Sequence, residues 1–482
     1  MFAIRMKRSF LFFTIMAFFA ITGMIGGSGC ANMIPPTGGP RDSLPPILMQ
    51  VNPKDSTLDF KGKKITLNFN EYVQLDQIQE NLLVSPTPKI LPTVEGKLRT
   101  VTITLRDTLE PNTTYSLNFG NAIKDVNEGN AVKNFTYLFS TGKALDTLTI
   151  SGNVIVAENG RPDSTLVVVL HKDFADSALR ERPRYVAKVD NKGYFQFRNL
   201  PPDTYAIYSF KDESNSRRYT SFDQLFAFAD TLISSIDPPN NLTLYAYLEP
   251  DTAKPVVRRT TPVQRPVLKG NAAVADRLLK FQTNLNNNQI GLLPSDTFQL
   301  SFPQDPLKEF DTTKVVFSNE KFEPISNYRW SMDSAGKRMD LFYKWTENTG
   351  YNLVFDKEFA VDTSGRKIPR TDTISFRSKK ETDYGLVRIR FQNLDLSRNP
   401  VLLFVQNDGV VYSHVFGNSN QFLSRLFNPG EYDLRILYDE NKNGKWDRGS
   451  FLKDRRQPEK VVPIAKKANI RGNIDNDIDI TL

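Results

Sequence analysis

The sequence predicts an all-β protein made of β-sandwiches in series, and three observations carry that expectation. Short runs of period-two alternation, such as "KITLNFN", "TVTITL" and "YSLNF", recur from residue 47 onward between Pro, Asn, Asp and Gly turns. The chain holds 34 Phe and 17 Tyr, side chains that suit a pleated, half-buried surface. No long run carries the 3.6-residue apolar stripe of an amphipathic helix. At 482 residues the chain has room for three to five domains at ~100–200 residues each.

From the N-terminus, residues 1–29 join the basic "MKRSF" to the apolar "LFFTIMAFFAITGMI" and then to small residues, the pattern of a secretory signal. The apolar core is short for a stable membrane span. It ends at Cys30, the only cysteine, which excludes an internal disulfide. With Gly27, Ser28 and Gly29 just before it, Cys30 resembles the lipidated residue of a bacterial lipoprotein signal. That resemblance implies a membrane anchor at Cys30, in the outer membrane, with the periplasmic and cell-surface sides both open. Residues 30–46, "CANMIPPTGGPRDSLPP", suit an extended Pro- and Gly-rich tether.

Beyond the tether the chain repeats itself. "LEPNTTYSLNFGNAIKDVNEGNAVKNFTYLFSTGK" (109–143) aligns with "WTENTGYNLVFDKEFAVDTSGRKIPRTDTISFRSKK" (345–380). Tyr115, Leu117 and Phe119 match Tyr351, Leu353 and Phe355, while Asp125 and Asp362 each open a polar turn. A second pair, 193–222 and 420–451, places Tyr205 against Tyr432 and Asp212 against Asp439. The chain therefore reads A, B, A′, B′. Module A spans 47–143, B 146–250, A′ 276–380 and B′ 381–482, with a basic, Pro-rich linker at 251–275.

Modules A and A′ resemble the bacterial Ig-like domain of S-layer and envelope proteins, through "NPKDSTLDFKGKKITLNFNEYV" and "LEPNTTYSLNFGNAIKDVNEGN". The second copy diverges at "LSFPQDPLKEFD". Modules B and B′ resemble transthyretin-like modules related to the carboxypeptidase regulatory domain, through "GYFQFRNLPPDTYAIYSFKD". The whole is similar to an Ig-like-domain lipoprotein family common in Bacteroidetes, and neither module type implies catalytic residues.

The residues agree that chemistry is sparse. There is no Gly-rich phosphate loop after a strand, no GxSxG, no HExxH and no CxxC. His171 and His414 are the only histidines, and each reads as a packed or surface side chain. Asp173 and Asp176 read as solvated loop charges, not as a glycosidase pair. Trp330, Trp345 and Trp446 are the only tryptophans, too few for a sugar-stacking platform, and cores or turn lids explain Trp330 and Trp345. Net charge is +8, with cations and anions interleaved instead of forming a basic stripe, and the secretory signal sends the chain out of the cytoplasm, so nucleic acid is not an expected partner.

A protein-binding role follows, because tandem sandwiches present loops and edges without disturbing their cores. The expected partners are the membrane, through Cys30, and outer-membrane proteins of an assembly, transport or secretion complex. The alternative is a freestanding envelope lipoprotein that binds polysaccharide or stabilises the envelope.

One loop invites a metal. In "DENKNGKWDRGS" (439–450), Asp439, Asn441, Asn443 and Asp447 take calcium-loop positions 1, 3, 5 and 9, with Gly444 at the sharp turn. Position 12 is Ser450 where a bidentate Glu normally stands, and the B copy puts Ser216 and Arg217 at positions 5 and 6. A hydrogen-bonded turn is thus the expected shared role, and calcium is the alternative, confined to the second copy.

Overall fold

Period-two alternation becomes paired strands in the computed structural model, which describes residues 16, 41–172, 174, 181–213, 215–249 and 278–482. The signal core, Cys30, Asp173, Asp176, Ser214 and the 251–275 linker lie outside the described residues. Two compact units divide the chain. One comprises Met1–Leu82, Ile90–Thr108 and Leu117–Leu138, and the other Leu83–Lys89, Leu109–Ser116 and Phe139–Leu482.

In the first unit, strands Leu48–Asn52, Lys64–Phe69, Thr100–Thr104 and Thr93–Lys97 form an antiparallel sheet in that order. Strand Lys64–Phe69 alternates as its sequence does, so Ile65, Leu67 and Phe69 are buried while Lys64 is exposed. Val101 and Ile103 do the same on the neighbouring strand, and Leu117, Phe119 and Tyr137 join the buried set. A ribbon of Val73–Leu75 against Ile123–Asp125 carries the first polar turn.

In the second unit, A′ repeats this plan with Gln282–Thr283, Phe298–Ser301, Arg338–Phe342 and Arg329–Met332 in one sheet. Its other sheet orders Gln289–Ile290, Asp372–Ser378, Gly350–Phe355 and Val315–Asn319, and a ribbon of Leu307–Phe310 against Ala360–Asp362 matches the one in A. The divergent "LSFPQDPLKEFD" thus supplies the expected strands despite its altered residues.

Seven strands of B and B′ share one topology. Leu148–Val156 runs antiparallel to Tyr194–Leu200 and parallel to Thr243–Leu248. In B′, Gly385–Gln392 stands in the same relation to Gln421–Phe427 and Asp475–Thr481. The remaining strands of B order as Tyr185–Lys188, Leu166–His171, Thr204–Lys211 and Leu225–Phe228, and those of B′ as Gly409–Val415, Pro400–Gln406, Gly430–Tyr438 and Lys460–Ile470.

The two copies differ in closure. B is one continuous eight-stranded sheet, because Leu225 and Phe226 pair with Leu248 and Tyr247 and join its halves, and its eighth strand, Ile233–Ser234, pairs with Thr204–Lys211. B′ keeps two separate sheets, as the sandwich reading expects. Strand Thr204–Lys211 of B is buried on both faces, which explains its run "YAIYSF", apolar but for the buried Ser209. Tyr205 and Ile207 enter the inner core, while Ala206, Tyr208 and Phe210 enter a second cluster on the opposite face.

That second cluster contains Phe451, a residue of B′. B and B′ are therefore docked, and the seam has three parts. Phe451 is 2% exposed, and its ring centroid lies 4.9, 5.1 and 5.7 Å from those of Phe228, Phe226 and Tyr208. The carboxylate of Glu249, itself buried, accepts the backbone N–H groups of Phe451 at 3.0 Å and Leu452 at 3.1 Å. Further along, Arg161 pairs with Asp433 at 2.9 Å and Asp408 at 3.4 Å, and Val461 donates its N–H to the Ala157 carbonyl at 3.2 Å.

Candidate functional site

The polar turns nominated by the sequence are built by one device, a buried or half-buried Asp that accepts backbone N–H groups a few residues ahead. In A, Asp125 accepts from Glu128, Gly129 and Asn130 at 2.6, 2.9 and 2.7 Å. In A′, Asp362 accepts from Ser364 and Arg366 at 3.0 and 2.8 Å, and also from the Arg366 guanidinium at 2.6 Å. Burial pushes both carboxyls up, but these donors outweigh it and hold each below the ordinary Asp value. Gly129 and Gly365 both take φ +78°, the left-handed turn such a loop requires.

A second shared device opens the tyrosine strands. The Tyr115 hydroxyl accepts the N–H of Glu110 at 2.8 Å, and that of Tyr351 accepts the N–H of Thr346 at 3.0 Å. The hydroxyls of Thr141 and Ser378 then accept the N–H groups of Thr113 and Thr349 at 3.0 and 2.9 Å. Asn112 and Asn348, with φ of 48° and 46°, supply the left-handed residue in both copies.

The calcium-like loop follows the same logic. Asp439, 1% exposed, accepts the N–H of Asn443 at 3.2 Å and of Gly444 at 2.6 Å. Asp212 in B accepts the equivalent pair, from Ser216 at 2.9 Å and Arg217 at 2.7 Å. Arg217 even takes the left-handed φ of 57° that Gly444 takes at 76°. The four nominated ligands are turned on one another. The Asn441 and Asn443 amides donate to Asp447 at 2.6 Å each, while their oxygens accept the N–H groups of Asn443 and Lys445.

Glu459, which the sequence reading did not single out, completes the loop by accepting the N–H groups of Glu440 and Asp447 at 2.8 and 2.9 Å. Burial, with the charges of Asp439 and Asp447 beside it, raises its carboxyl despite those two donors. As arranged, these oxygens accept hydrogen bonds from protein N–H donors. Among the described residues, no group of three or more His, Cys, Asp or Glu side chains is placed to hold a metal.

At position 12 the chain does something else. The N–H and C=O of Ser450 both pair with Arg456, at 2.8 and 2.7 Å, closing a turn that carries Phe451 into module B. Neither Phe451 nor its partner Glu249 carries a sequence signal, since they stand 202 residues apart.

The other nominated residues are packed. Trp345 is 7% exposed and donates its indole N–H to the Asp296 carbonyl at 2.6 Å. Trp330 packs partly buried on the same A′ core, and half-buried Trp446 donates to the Glu459 carbonyl at 2.9 Å. They form no shared stacking platform, because Trp446 belongs to different clusters. His171 is buried edge-on to Tyr208, which pushes its imidazole down to about 4. His414 is also lowered by burial, beside Phe416 and Phe422.

Fold and sites together define a class: a tandem β-sandwich protein whose repeated polar turns are structural hydrogen-bond cages. Residues 42–141 match the family model of the bacterial Ig-like domain. No curated protein matches the chain. Solved structures similar to it include the Bacillus anthracis TIE protein, 10% identical, covering 92% of this chain and 75% of that one at a TM-score of 0.16. Another is BcpA, the major pilin subunit of Bacillus cereus, 8% identical, covering 70% of this chain and 99% of that one at 0.17. The N-terminal part of the bacterial S-layer protein SbsC is 16% identical over 42% of this chain and 44% of its own, at 0.15. Scores this low describe no common global arrangement. Among the described residues, no helix is long and apolar enough to cross a membrane.

Proposed function

We propose that this chain is a non-catalytic, lipid-anchored protein of the cell envelope that acts as an interaction scaffold, an accessory subunit of an outer-membrane assembly, transport or secretion complex. One observation carries the reading: the aspartates of the polar turns are spent inside the fold. Asp125, Asp362, Asp212 and Asp439 are each committed to backbone N–H groups. The docking of B′ on B supports it further, because a fixed pair of modules presents loops in a set geometry at low entropic cost. Cys30 is the proposed anchor, and a lipid anchor beside integral partners raises effective concentration enough for weak contacts to hold.

Cross-linking in intact cells tests the reading. The wild-type chain is expected to fractionate with membranes and to yield a discrete adduct with an outer-membrane protein. Cys30→Ser is expected to release the chain from membranes and lose the adduct. A chain that stays in the membrane fraction with Ser at position 30 contradicts the anchor, and one that yields no discrete adduct contradicts the scaffold.

A further inference from the structure

We propose that the cleft where B meets B′ is a binding site for an oxyanion of the phosphate class. The cleft has a volume of about 280 Å3 and is lined by Ile155, Gly160 and Tyr245 from B, and by Arg398, Tyr438 and Lys460–Pro463 from B′. Two cations line it. The Arg398 guanidinium lies 3.8 Å above the Tyr438 ring, and the Lys460 ammonium lies 4.7 Å from the centre of the Tyr245 ring. Among the described residues, no carboxylate sits within salt-bridge distance of either cation, whereas Arg388, Arg390, Arg435 and Lys467 of B′ are paired.

The walls hold these groups in place. Ile155 and Tyr245 are register partners on adjacent strands of B, and Tyr438 and Lys460 are register partners in B′. The floor is tight: a Cβ added to Gly160 would meet the Pro463 ring at 2.4 Å and the Val461 carbonyl at 2.5 Å. A ring face under each cation fixes the charged ends without neutralising them, and leaves their N–H groups free to bind. Arg398 then offers the planar fork that matches two oxygens of a phosphate, while Lys460 supplies a point charge to a third. The volume suits a phosphate group together with part of the molecule that bears it.

Isothermal titration of the full chain with inorganic phosphate at low ionic strength tests the site. The expected result is one phosphate per chain, with affinity falling roughly tenfold or more in Arg398→Gln and in Lys460→Gln, and unchanged in Lys344→Gln of module A′. Far-ultraviolet circular dichroism of each variant separates loss of the site from loss of fold. A second arm uses vesicles of phosphatidylcholine with and without phosphatidic acid. Phosphatidate-dependent binding that inorganic phosphate displaces assigns a lipid head group, and phosphate binding without vesicle binding assigns a soluble phosphorylated ligand. No phosphate binding by the wild type, or binding equal in the wild type and both cleft variants, overturns the proposal.

Discussion

Replacing Phe451 by Ala removes the side chain that B′ inserts into B. The ring is buried to 2% exposure against Tyr208, Phe226 and Phe228, so truncation leaves a cavity lined by aromatic faces. Buried Phe→Ala changes cost about 3–5 kcal/mol. The loss should concentrate at the seam, because the inner cores of B and B′ are separate clusters and, among the described residues, Trp446 is the other hydrophobic B′ side chain packed on the Phe451 cluster. Hydrogen exchange by mass spectrometry reads both quantities. The N–H groups of Phe451 and Leu452, held by Glu249, should lose protection by about two orders of magnitude or more, at 1.4 kcal/mol for each factor of ten, while the strand Gly385–Gln392 keeps its protection. Unchanged protection at 451 and 452, with a cost below about 1 kcal/mol, would refute the claim that Phe451 locks the two modules.

Four further outcomes follow from the geometry. Gly160→Ala should destabilise the same seam by about 1–3 kcal/mol, since its φ of +68° and the nearby Val461 carbonyl both oppose a Cβ; a denaturant melt checks it. Asp125→Asn should cost about 1.5–3 kcal/mol at pH 7, because an amide cannot accept three N–H groups as a carboxylate does; the carboxylate's contribution, depressed below its ordinary value, is present above about pH 4 and fades as pH falls through the folded value. His171 is held down to about 4, so the unfolded chain binds the extra proton first. Stability should fall by up to about 3 kcal/mol between pH 6.5 and 4, and the fall should shrink in His171→Phe when denaturant midpoints are compared across pH. Calcium added to the full chain should leave its melting temperature unchanged, whereas Asp439→Ala should lower it by removing the acceptor for Asn443 and Gly444.

Local patterning made much of this fold legible. Tyr115 with Tyr351, Asp125 with Asp362, and Asp212 with Asp439 are short-range devices, each bonding within five residues, so their spacing survives in the sequence and marks the repeats. The loop at 439–450 resembles a calcium loop for the same reason: a cage of backbone donors and a cage of cation ligands both call for Asp, Asn and Gly at nearly the same intervals. Long-range features left no such mark. Glu249 and Phe451 are ordinary residues until the fold brings them together, and Glu459 closes a loop that begins 20 residues earlier at Asp439. The continuous sheet of B was equally hidden, because it depends on Leu225 and Phe226 meeting Leu248 and Tyr247.

The scaffold reading is tested most directly by quantitative mass spectrometry of the affinity-tagged full chain after mild detergent extraction. The proposal expects an outer-membrane protein at a fixed molar ratio to the chain, retained through high-salt washing and lost with Cys30→Ser. Recovery of the chain alone from every mild detergent would contradict it.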